Sequence, residues 1–93
     1  MLNFEVAKRS GLRQKGELDI LFEVSYPMIN AYLGGKSYPR GPNRTHISIA
    51  LDVLNALIDK GKLPLAEGKD TEGRAKAVKK IRECIVSAKK KQS

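Results

Sequence analysis

Apolar residues in this chain recur at spacings of three and four, the period of a helix rather than of a strand. Leu18, Leu21 and Phe22 share one face, and Ile29, Tyr32 and Leu33 share a second. Ile47, Ala50, Leu51, Leu54, Leu57 and Ile58 make a wide stripe. Val78, Ile81, Ile85 and Ala88 make a fourth, with Ala77 and Cys84 beside it. No stretch alternates apolar and polar residues as a half-buried strand would, so the pattern predicts an all-α chain.

Local signals divide that pattern into elements. Asn3 is a good N-cap for a short first helix, Phe4 to Ser10, which Gly11 ends. A second helix is predicted over Leu12 to Phe22, although Gly16 weakens its first turn by roughly 1 kcal/mol relative to Ala. Ser25 caps a third helix, Pro27 falls in its first turn, and Gly34-Gly35 closes it. Lys36 to Arg44 holds two prolines and a glycine and reads as a loop. The fourth helix starts at Asn43 or Thr45 and runs to about Lys60, where Gly61 stops it. Lys62 to Lys69 is a turn region around Pro64, in which Leu63 and Leu65 can cover the bottom of the core. The last helix runs from about Thr71 to Lys90. The expected architecture is a compact bundle of five to six helices, divided as residues 1–68 and a basic amphipathic helix over 69–93.

Ninety-three residues make one small globular body. With no Trp and few aromatics, its core must be built from Leu, Ile, Val and Ala. Cys84 is the one cysteine, so an internal disulfide is impossible and a reducing, cytoplasmic location is expected. No apolar run is long enough to span a bilayer, and the N-terminus lacks the apolar core of a signal peptide. The net charge is +8 and unevenly spread. Residues 69–93 hold nine Lys/Arg against three acids, and residues 1–68 hold nine against seven. From Val24 to Leu51 there is no acid at all.

Two short helices joined at Val24-Ser25, on a cationic chain, point to a helix-turn-helix and so to double-stranded DNA, whose major groove admits a helix. The segment Lys15 to Gly35 resembles the helix-turn-helix of the Cro/lambda-repressor-like family, also called the xenobiotic-response-element family. The resemblance rests on Val24-Ser25, then Ile29, Tyr32-Leu33, and a glycine followed by Lys36. It covers roughly residues 1–65 and leaves 69–93 aside. Two positions depart from the family pattern: Asp19 stands where the second helix usually has Ala, and Glu23 where the turn usually has Gly. The resemblance implies a small transcriptional regulator, a repressor of phage or mobile-element type.

With Ile29, Tyr32 and Leu33 facing the core, the groove face of the third helix is Tyr26, Pro27, Asn30, Ala31 and Gly34. Asn30 is the candidate base reader, because an Asn amide can bond adenine N6 and N7 together. The loop cations Lys36, Arg40 and Arg44 are candidates for phosphate contact or for placing an Arg in the adjacent minor groove, and Ser25 and Lys15 are further candidates for DNA contact. Val78, Ile81 and Ile85 are candidates for dimerisation, so a homodimer on a palindromic site is expected, with packing back onto Leu63 and Leu65 as the other option. Cys84 is expected to be a small buried hydrophobe, and His46 a capping or surface residue. Glu17, Asp19 and Glu23 lack a His partner and read as surface charges or caps, so neither catalysis nor a cofactor or metal is expected. The alternatives are an interaction module for a protein partner, such as an antitoxin or a phage inhibitor of a host factor, and a non-specific coat for nucleic acid. None of these readings calls for a membrane.

Overall fold

The computed structural model describes residues 2–65 and 70–92. They form five helices in the order α1 (Glu5–Arg9), α2 (Leu18–Phe22), α3 (Tyr26–Leu33), α4 (Pro42–Asp59) and α5 (Thr71–Gln92), with no strand among them. The boundary expected between residues 68 and 69, and the end of the turn expected over Lys62 to Lys69, lie outside the described residues.

Helix α4 is the axis of the molecule. Its 18 residues bury Ile47, Ile49, Ala50, Leu51 and Leu54, and α1, α2 and α5 pack on it. Helix α2 touches α3 on one side and α5 on another, and α1 also reaches α3. A single buried cluster runs through all five helices. Leu63 is buried and Leu65 half-buried at its edge, as their spacing after α4 implied.

The helix ends follow local chemistry. Asn3 Oδ1 accepts from Glu5 N–H, and Ser25 Oγ accepts from Met28 N–H. Helix α3 ends with paired bonds from Gly35 N to Tyr32 O and from Lys36 N to Ala31 O. That arrangement needs a left-handed residue, supplied by Gly35 at φ 75°. Helix α2 ends in the same way, from Glu23 N to Ile20 O and Val24 N to Asp19 O. Here the left-handed residue is Glu23, at φ 58°. Glu23 therefore takes up the backbone conformation that glycine adopts without strain.

Three expectations are corrected. The second helix begins at Leu18, not Leu12. The preceding residues form turns because side chains take up their N–H groups: Gln14 N donates to Glu17 Oε1, and Gly16 N donates to Asp19 Oδ1. Leu12 still reaches the core and is fully buried. The second correction concerns Val78, Ile81 and Ile85, given above as candidates for a dimer contact, with packing back onto the chain's own body as the other option. They are 4%, 5% and 1% exposed within the single chain. Helix α5 packs on α4 beside the two five-residue helices α1 and α2, and its stripe is buried there. The third is Cys84, expected to be buried, which is exposed on the outer side of α5.

Candidate nucleic-acid interface

Helix α3 presents a surface whose direction is fixed by what it buries. Ile29 and Tyr32 enter the core, and Leu33 is half-buried against it. Pro27, Asn30 and Gly34 are left exposed at helical spacing, with Ala31 half-buried among them. Met28, 37% exposed, borders this face and was not among the expected residues. Ser25 is exposed, and its hydroxyl is engaged in capping. Tyr26 is half-buried, and its hydroxyl donates to Arg13 O at 3.2 Å.

That bond places the 13–16 turns beside the start of α3. Arg13, Gln14 and Lys15 are all exposed there. Lys15 was among the expected residues; Arg13 and Gln14 were not. The cue in the sequence was faint, a cation next to Leu12. At the other end of α3, Lys36, Arg40 and Arg44 are exposed as expected. Arg44, expected in the loop, lies instead in the first turn of α4, which starts at Pro42 because proline fits a first helical turn, and which has no side-chain cap and no acid. The positive end of that helix dipole therefore adds to the three cations. Cationic segments thus stand at both ends of a weakly charged helix face.

Each of the nearby acids has a partner within the chain, although only Glu17 is buried. Glu17 was expected to be a surface charge or a cap; it stands at the N-cap position of α2, makes no side-chain cap bond there and is 4% exposed. Its Oε2 lies 2.7 Å from Arg74 Nε, and its Oε1 lies 2.7 Å from Arg74 Nη2, a two-pronged pair between the start of α2 and the start of α5. Arg74 Nη2 also donates to Gly11 O at 3.0 Å. The hydrogen bond to Glu17 raises the Arg74 pKa above its usual value; desolvation lowers it, and the Glu17 charge raises it further. Asp19 spends an oxygen on Gly16 N. Glu23 turns toward His46, with Oε2 3.2 Å from Nε2.

His46 caps a helix other than its own. Its Nε2 lies 2.8 Å from Leu21 O, in the last turn of α2, and its Nδ1 lies 3.1 Å from Lys89 Nζ on α5. An ammonium can only donate, so Nδ1 accepts and Nε2–H donates; the neutral tautomer is assigned from its partners. Among the described residues no cluster of His, Cys, Asp or Glu is placed to hold a metal ion, and no helix is long and apolar enough to cross a membrane. Comparison with protein-family models, curated proteins and solved structures found no match to this chain.

Proposed function

We propose that this chain is a sequence-specific DNA-binding protein, a transcriptional repressor of helix-turn-helix type, with α3 in the major groove. One observation carries the reading: the exposed face of α3, centred on Asn30, lies between Arg13 and Lys15 at one end and Lys36, Arg40 and Arg44 at the other. In this reading Asn30 contacts a base edge, Pro27, Ala31 and Gly34 let the helix approach closely, and the flanking cations hold phosphates. The left-handed Glu23 supports it further, because the turn adopts the conformation for which the family uses glycine. The homodimer expected on a palindromic site, with half-sites about 34 Å apart, is proposed to use surfaces outside the buried α5 stripe.

Selection of bound sequences from a random duplex pool at about 150 mM salt, where phosphate-only binding is weakened, tests the proposal. The expected result is a recurring motif. Asn30→Ala should then cost roughly 1–3 kcal/mol and relax one A·T position. Recovery of random sequence, or an Asn30→Ala protein with unchanged preference, would refute it. A second reading, a module that binds another protein, is favoured by one observation. Ile20 and Val86, 44% and 45% exposed, line one small cavity between α2 and α5. In that case Val86→Asp would abolish activity in the cell and Asn30→Ala would leave it intact.

A further inference from the structure

A second feature lies at the end of α3. Leu2 and Phe4 from the N-terminal segment, Tyr32 from α3, and residues 35–38, Arg40 and Asn43 enclose an open cleft of about 710 Å³. The cleft is wide and shallow, so a ligand would lie across its walls rather than be enclosed. One wall is aromatic and held in place. Phe4 stacks on Tyr32, with ring centroids 5.7 Å apart, and Tyr38 meets Phe4 edge-on at 6.4 Å. Leu2 N donates to the Tyr38 hydroxyl at 2.8 Å, and Pro39 is fully buried beside it. Tyr38 is nevertheless 38% exposed as a residue. Lys36 and Arg40 flank it in sequence and line the same cleft, and neither has a carboxylate partner among the described residues. Ser37 and Asn43 add a hydroxyl and an amide.

We propose that this cleft binds a mononucleotide, its base on the Tyr38 ring and its phosphate between Lys36 and Arg40. A phosphate alone would use the cations and leave the aromatic wall and the Asn43 amide idle. A base within an intact duplex is stacked and cannot reach Tyr38. A ring joined to a phosphate uses both halves of the site, and aromatic stacking tolerates any base. The binding stands independently of the DNA reading. One consequence rests on that reading: a nucleotide held by Lys36 and Arg40 competes with duplex phosphates for the same two side chains.

The test is titration of the ¹⁵N-labelled protein with adenosine 5′-monophosphate, without DNA, against adenosine and inorganic phosphate as separate probes. Saturable amide shifts are expected at Phe4, Lys36 to Tyr38 and Asn43, with a Kd on the order of 1 mM or below. Each separate probe should bind at least about tenfold more weakly, because it fills half the site. Tyr38→Leu should weaken the monophosphate about fivefold or more. Tyr38→Phe keeps the ring but loses the hydroxyl that accepts from Leu2 N, so it should bind more tightly than Tyr38→Leu, and circular dichroism of each variant controls for folding. Replacing Lys36 and Arg40 together by Gln should remove the advantage of the monophosphate over adenosine. Asn30→Ala should bind it unchanged, even if it loses DNA, so the two readings fail separately. Equal binding of phosphate and monophosphate, shifts centred on the α5 lysines, or no saturation would overturn the proposal.

Discussion

Replacing Arg74 by Met should cost this protein a large share of its stability. The substitution keeps the apolar stem that packs near the start of α2 but removes the guanidinium. Glu17 would then sit 4% exposed with a single N–H donor, that of Gln14, and Gly11 O would lose its Arg74 bond. Breaking a buried pair by removing one partner costs about 3–5 kcal/mol, because the remaining charge stays desolvated. The Arg74 side chain is 19% exposed, so water can partly replace it, and the lower end, about 3 kcal/mol, is expected. A domain of this size is stable by roughly 5–14 kcal/mol, so the loss is a substantial fraction. Urea unfolding followed by circular dichroism at 222 nm measures it. Replacing both residues by Met should recover most of the loss, since an apolar pair carries no buried charge. The double-mutant cycle should therefore give a coupling of about 2 kcal/mol or more. The Arg74 pKa is raised by folding, so its contribution is complete below the unfolded-state value and is lost only in strong alkali. The cost should accordingly stay flat between about pH 7 and pH 10. A loss under about 1 kcal/mol, or additive single and double substitutions, would show that the pair is solvated and refute the argument.

Other outcomes follow from the same packing. Ile81→Asp places a charge in the core of a single chain, so it should lower the urea midpoint sharply at every protein concentration; a stable variant whose only change is in sedimentation would restore the dimer role of the α5 stripe. Arg40→Ala and Arg44→Ala should weaken binding to all duplexes alike, and each should reduce the salt slope by about one unit; losses confined to certain sequences would contradict phosphate contact. Glu23→Gly removes the left-handed strain, which is worth about 1 kcal/mol, at the cost of a half-exposed contact to His46, so a small gain in thermal midpoint is expected, and a clear loss would show that the contact dominates. Native Cys84 should be modified completely by a thiol reagent without denaturant, whereas protection until unfolding would place it inside.

Those features that depend on a few adjacent residues were legible in the chain itself. Ser25, Pro27 and Gly34-Gly35 fix both ends of α3 because caps and left-handed turns are satisfied within one turn of helix. The face of α3 and most of that of α4 followed from spacing, and with the former the exposure of Asn30; Ile49, buried in α4, and Pro39, buried in the segment before it, did not. Spacing cannot say what covers a stripe, however. Val78, Ile81 and Ile85 have the same pattern whether they meet a second subunit or their own α4. The tertiary structure decided that, by packing α5 on α4. It also decided the burial of Glu17, whose partner Arg74 is 57 positions away. Tyr38, Phe4 and Leu2 carry no shared motif; one hydrogen bond and two ring contacts bring them to the same cleft. Local hydrogen bonding and amphipathic period are properties of the sequence. The choice of which surfaces meet belongs to the whole chain, because burial is settled by competition among all its apolar faces at once.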